Sequence, residues 1–210
     1  GEYNVESLVR GLSRFLAQHA PHLNTSGGAD WLNGIGKIRE SAGNLLGTLP
    51  VRPPSFCVGC PERPVFSAMK LVAQDVGRPH VSMDVGCHAF ASFEPFSQGN
   101  TLLGYGMSLA AAAGVGPMSS KRAVAVMGDG AFLMSAAELE TAVRERVPIV
   151  VLVWVDGGFG LIGWKQDLHF GRRSAVSFGN PDFMELAGSF GAEGHAITEA
   201  DQLLPTLRAA

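Results

Sequence analysis

The chain has 210 residues, 46% hydrophobic and only 17% charged, a composition that excludes a disordered chain and fits one large α/β domain or two small ones. Sixteen basic against nineteen acidic residues give a net charge of −3, which excludes an electrostatic nucleic-acid surface and a polybasic membrane anchor. Three cysteines, an odd number, argue against a disulfide scaffold and for a reducing, cytoplasmic compartment.

Along the chain, the polar N-terminal segment GEYNVESLVR lacks a signal-peptide pattern, and a first residue other than Met fits a processed form or a fragment. Residues 3–18 show helical spacing, with Val5, Leu8, Leu12, Phe15 and Leu16 on one face. Residues 23–50 give only weak helical signals; 1–50 read as a helical and linker segment, and 51–210 as the main domain. Four prolines make 51–64 a loop. Residues 65–76 read as a helix and HVSMDVG (80–86) as a short buried strand. The uncharged stretch 95–120, rich in Gly and Ala and broken by Pro117, reads as a tightly packed buried helix over 102–115 rather than a membrane span. RAVAVMGDG (122–130) reads as a strand entering a turn, 135–147 as a helix with Leu139, Ala142, Val143 and Val147 inward, and VPIVVLVWVD (147–156) as a central strand. A last helix is expected over 180–190, with Asn180 as N-cap and Pro181 at its first position.

Strands alternating with helices predict a doubly wound, mostly parallel α/β sheet with helices on both faces. Ligands of such sheets bind beyond the carboxyl ends of the strands. Three predicted strands end there in Asp84, Asp129 and Asp156. Glycine is in excess, 27 residues in all, and Gly128-Asp129-Gly130 sets two of them around one of these acids. Glycines here allow a phosphate to approach the backbone closely, but Asp129 repels it. A divalent cation between carboxylate and phosphate resolves the conflict, and Mg²⁺, a hard ion with oxygen ligands, suits it. Asp156 follows Asp129 by 27 residues, the length of one helix and one returning strand, so both acids belong at the same sheet edge.

The segment GDGAFLMSAAELETAVRERVPIVVLVWVDGGFG (128–160) resembles the thiamine-diphosphate motif. With WKQ (164–166), FGR (170–172) and FGNPDF (178–183), residues 121–210 resemble the C-terminal domain of acetolactate synthases. That resemblance implies the thiamine-diphosphate-binding fold, with Asp129 and Asp156 as side-chain ligands of Mg²⁺ and Gly158 as a carbonyl ligand. It implies backbone contacts to the diphosphate from Gly128, Gly130 and Ala131, and a substrate pocket lined by Phe159, Leu161, Ile162 and Gln166. Many relatives carry Asn where this chain has Asp156; the added negative charge calls for a compensating cation or donor, for which His88 is the candidate. RPPSFCVGCPERPVFSAM (52–69) and DVGCHAFASF (84–93) resemble indolepyruvate:ferredoxin oxidoreductases instead, and GNTLLGYGMSLAAAAG (99–114) fits both families. By resemblance Leu103 props the thiamine into its bent shape and Gly104 lies against it.

Cys57-x-x-Cys60 with Cys87 supplies three thiols, and oxidoreductases of this kind hold a [4Fe-4S] cluster at similar places with a fourth cysteine that this chain lacks. Buried free thiols are the commoner outcome. The activating glutamate of thiamine enzymes sits in a separate pyrimidine-binding domain or subunit, and Glu62, Glu94 and Glu138 do not match it. The chain is therefore expected to bind thiamine diphosphate poorly by itself, to need that partner in a homo- or hetero-oligomer, and to act on a small 2-oxo acid. Three readings follow: a decarboxylating carboligase of acetolactate synthase type, the cofactor-binding part of a 2-oxo acid:ferredoxin oxidoreductase, and a non-catalytic homologue that binds a partner through the same fold.

Overall fold

The computed structural model describes residues 4–47 and 54–210, and the chain divides into two compact units, Gly1–Arg52 and Pro53–Ala210. The first unit is a pair of helices, α1 (Val5–His19) and α2 (Ser26–Leu46). Asn4 caps α1 through Ser7 in a capping box, which places the helix start where the hydrophobic spacing begins. Where 23–50 gives only a weak signal, its described residues hold a continuous 21-residue helix, Ser26–Leu46, joined to α1 by the Arg39–Glu6 ion pair at 2.5 Å, and 48–50 lie outside the described residues. Neither helix has a fully buried residue.

In the second unit, β1 (His80–Met83), β2 (Ala123–Gly128) and β3 (Ile149–Trp154) form a parallel sheet in the order β1-β2-β3. Six helices flank it: α3 (Glu62–Val76), α4 (Ser108–Val115), α5 (Asp129–Ser135), α6 (Glu138–Arg144), α8 (Phe183–Phe190) and α9 (Ala200–Ala209). A further helix, α7 (Gly160–Phe170), follows β3. Strand alternation sorts the two faces. Val124, Val126, Val150, Leu152 and Trp154 pack with Phe66 and Met69 of α3 and Leu207 of α9. Met127, Val151 and Val153 pack with Leu109 of α4, Phe132 of α5, Leu139 of α6 and Leu186 of α8. Helices thus cover both faces, the doubly wound arrangement. Ala112 of α4 meets Ala123 and Ala125 of β2, all fully buried, so small residues bring that helix close to the sheet.

Several boundaries move, each for a local reason. The loop expected over 51–64, whose residues 51–53 lie outside the described ones, ends at Glu62, because Pro64 falls in the first turn of α3 where no N–H is needed. Residues 102–107 are not helical: Gly106 has φ +78°, and α4 starts only at Ser108. The Gly-Asp-Gly segment is the end of β2 and the first turn of α5 rather than a separate turn, and α5 and α6 replace the single helix over 135–147. Val143, expected inward, is 37% exposed. Among the described residues β2, not β3, is the central strand: its first five residues are buried, whereas every residue of β3 is only half-buried. Asn180 does not cap the last predicted helix. Asp182 does, accepting from the backbone of Met184 and Glu185, which frees the Asn180 side chain. Among the described residues no helix is long and apolar enough to cross a membrane.

Candidate functional site

Parallel pairing of β2 with β3 in register, Gly128 opposite Trp154, brings the residues just beyond both carboxyl ends together. Asp129, first residue of α5, is 1% exposed. Its Oδ1 accepts from the backbone N–H of Gly130 at 2.7 Å. Its Oδ2 accepts from three donors: the backbone N–H of Asp156 at 3.0 Å, that of Gly157 at 2.7 Å and Nδ2 of Asn180 at 2.7 Å. A carboxylate has about four lone-pair sites, so Oδ2 is saturated and Oδ1 keeps one. The amide of Gly130 is thus engaged by Asp129.

The Asp156 carboxyl lies against Asp129 and is pushed above the ordinary aspartate range, first by burial and then by the charge of Asp129. Glu62, at the start of α3, is pushed up to about 7 by burial and, secondarily, by the Asp156 charge, and its Oε2 is buried without a hydrogen-bond partner. Negative charge is therefore concentrated beside the carboxyl ends of β2 and β3. Gly158 lies in the same loop, pressed so tightly on the backbone that a Cβ there would stand 2.7 Å from the Val176 carbonyl oxygen.

Asp84, beyond β1, is fully buried and plays a different part from the other two strand-end acids. It accepts from the N–H groups of Val85 at 2.8 Å, Gly106 at 2.8 Å and Ser108 at 3.0 Å. An anion on the first residue of α4 suits the helix N-terminus, and the same carboxylate fixes the loop that carries Leu103, Gly104 and Tyr105. Leu103 is 66% exposed at the tip of that loop.

His88 is buried and stacked on Trp154, ring centroids 5.7 Å apart, with Nε2 unpartnered. Burial depresses its pKa, against an opposing pull from Asp84, so the ring is neutral at pH 7. Of the two roles expected of it, compensating cation or donor, the lowered pKa favours the neutral donor. Phe159, half-buried, packs on Phe178 at 5.0 Å and on Tyr105 at 6.2 Å, beside Gly130. Leu161 and Ile162 are about half exposed on α7. Gln166 is committed to the chain itself: Nε2 donates to the Ser174 carbonyl and Oε1 accepts from the Ser174 N–H. It clamps the loop after α7 rather than presenting a free amide to a pocket.

The three cysteines are free, Cys57 exposed, Cys60 and Cys87 half-buried. Cys87 is raised by burial, with Glu62, Cys60 and Cys57 as smaller causes in that order, which sets them in one neighbourhood. Among the described residues, no group of three or more His, Cys, Asp or Glu side chains is arranged to hold a metal ion. A Mg²⁺ that also takes phosphate oxygens requires only one or two carboxylates, and the free lone pair on Asp129 with the adjoining Asp156 fits that requirement.

Residues 84–210 match the family model for the thiamine pyrophosphate enzyme, C-terminal TPP binding domain. The chain belongs to this family. An acetolactate synthase of Bacillus subtilis is 42% identical over 138 residues, covering 61% of this chain and 24% of that protein. A subunit of indolepyruvate oxidoreductase from Methanothermobacter marburgensis is 31% identical over 110 residues, covering 50% of this chain and 18% of the relative. Among solved structures, a thiamine diphosphate-dependent 4-hydroxybenzoylformate decarboxylase of Rhodococcus jostii RHA1 superposes with a TM-score of 0.58 at 18% identity, over 78% of this chain and 33% of that one; this likeness concerns the fold. The chain spans a third or less of the length of each of these proteins.

Two residues beside Asp129 and Asp156 make contacts that the sequence reading does not assign them. Asn180 was assigned to a helix cap, yet its amide reaches Asp129 across 51 positions. Glu62 sat among prolines with no periodic signal, yet it shares the charge environment of Asp156. The available clue for Asn180 was Asp182, a second capping residue two positions on.

Proposed function

We propose that this chain supplies the diphosphate- and Mg²⁺-binding half of a thiamine-diphosphate enzyme that decarboxylates a 2-oxo acid with acyl transfer, in the manner of acetolactate synthase. The observation that carries this reading is the pair of acids, Asp129 buried and the Asp156 carboxyl raised, meeting at the ends of adjacent parallel strands. Two like charges at short range in a low dielectric repel, and a divalent ion shared with phosphate oxygens reverses that cost. Asp129 and Asp156 hold the ion, with the Gly158 carbonyl as third protein ligand. Gly128, Gly130 and Ala131 would hold the diphosphate through backbone contacts, and Asp84 holds the loop that carries Leu103 and Gly104. The bound cofactor supplies the electron sink for loss of CO₂. Phe159, Leu161 and Ile162 exclude water from the acyl side.

A pyrimidine-binding domain or subunit completes the site with its activating glutamate, within a homo- or hetero-oligomer. Calorimetric titration with Mg²⁺ and thiamine diphosphate, in the presence of that domain, tests the assignment. Binding that disappears in Asp129→Ala supports it; binding unchanged by Asp129→Ala refutes it. A second reading, the cofactor-binding part of an indolepyruvate-type 2-oxo acid:ferredoxin oxidoreductase, draws support from the 31% identity over 110 residues to a subunit of indolepyruvate oxidoreductase. An anaerobic EPR spectrum with a reducible cluster favours it over the carboligase.

A further inference from the structure

We propose that Asn180 is a positioning residue for Asp129, turning that carboxylate so that its Oδ1, and not its Oδ2, is presented to the cation. The inference rests on the cofactor reading above. Its geometry begins with the saturation of Oδ2, which takes three donors, while Oδ1 takes only the N–H of Gly130. Two of the three donors on Oδ2 are backbone groups of the 156–157 loop, and they move with that loop. Asn180 is the one side-chain donor, and it arrives from a different part of the chain, the segment between α7 and α8.

The direction of the Asn180 amide is fixed by charge. A flip would set its Oδ1 against the carboxylate oxygen at 2.7 Å, so Nδ2 faces Asp129. Its own Oδ1 is then left buried without a partner. A buried, unmatched acceptor is costly, and it is tolerated here only because the other end of the amide holds a buried charge. Local structure does not require this residue, because Asp182 already satisfies the first turn of α8. The amide therefore serves the carboxylate. It restrains Asp129 to one rotamer, ties the end of β2 to the segment before α8, and leaves one lone pair, on Oδ1, without a donor among the described residues. One-oxygen ligation suits Mg²⁺, which holds a strict octahedron and keeps waters and phosphate oxygens in most positions.

The test uses the full chain together with its pyrimidine-binding domain or subunit, with Mn²⁺ as a paramagnetic substitute for Mg²⁺, titrated with thiamine diphosphate and followed by EPR of the free ion. Asn180→Ala, Asn180→Asp and Asp129→Ala are compared, with thermal melts run in parallel. Losing a hydrogen bond to a charged group predicts about a 10-fold or greater loss of Mn²⁺ affinity in Asn180→Ala. Asn180→Asp keeps the shape of the side chain but replaces a donor by a like charge, so it is expected to bind more weakly than Asn180→Ala. A side chain that merely fills space gives the opposite order, with Asn180→Asp close to the parent, and that order overturns the inference. If Asp129→Ala abolishes binding while Asn180→Ala leaves it unchanged, the cofactor reading stands and the role given to Asn180 falls. If Asp129→Ala itself leaves binding unchanged, the cofactor reading fails first.

Discussion

Replacing Asp84 by Asn separates a carboxylate that binds a ligand from one that holds the chain. The two side chains have the same shape, so the substitution creates no cavity. In the parent, Oδ1 accepts from Val85 and Gly106, and Oδ2 accepts from Ser108, all with no exposure to solvent. An asparagine keeps its oxygen for one side only. Its NH₂ then faces the N–H of either Ser108 or the Val85–Gly106 pair, donor against donor, in a buried position. Losing a charge-assisted bond and stranding a buried donor together cost about 3 kcal/mol. A domain of 150–250 residues loses roughly 2–4 °C per kcal/mol, so the melting temperature should fall by about 6–12 °C. Circular dichroism melts of the full chain read this directly. The loop carrying Leu103 and Gly104 should loosen as well, so thiamine diphosphate affinity should drop even at temperatures where the variant is fully folded. A variant that melts within 1–2 °C of the parent would refute the account of Asp84 as an internal anchor.

In the metal-free chain, Glu62 has a pKa of about 7 against an ordinary 4.5, so its stabilising contribution is complete below the unfolded value and is lost as pH rises through 7. After allowance for the partly exposed side chain, that loss is about 1–2 kcal/mol. Glu62→Gln should therefore flatten the fall in stability between about pH 5 and 8 in urea melts, and an unchanged slope counts against the assignment. Gly158→Ala sets a Cβ 2.7 Å from the Val176 carbonyl oxygen. Overpacking of that kind costs about 1–3 kcal/mol. It should also shift the Asp156 loop and weaken Mn²⁺ binding, whereas Gly179→Ala, which meets nothing within 4 Å, is the silent control. Equal melting temperatures for the two alanine variants would remove the argument.

The sequence by itself determined the class of fold, because continuous apolar runs such as IVVLVW can be buried on both faces only if helices cover both. It also pointed to a shared edge for Asp129 and Asp156, since a spacing of 27 positions fits a helical crossover and one returning strand. What a local pattern does not contain is who donates to whom. Asp84, Asp129 and Asp156 look alike in sequence, three acids at three strand ends. Only the packed structure turned Asp84 inward onto the N–H groups of Gly106 and Ser108, and left Asp156 partly exposed beside an Asp129 whose Oδ2 is saturated and whose Oδ1 is not. The same holds for the basic end of the argument. His88 in DVGCH reads as either a cation or a donor, and burial against Trp154 favours its neutral form. Asn180 reads as a helix cap until Asp182 takes that place and the amide is free to reach a charge 51 residues away. Charge state and hydrogen-bond partnership depend on solvent exclusion and on contacts between distant segments, so they belong to tertiary structure, whereas periodicity and spacing are local and can be read along the chain.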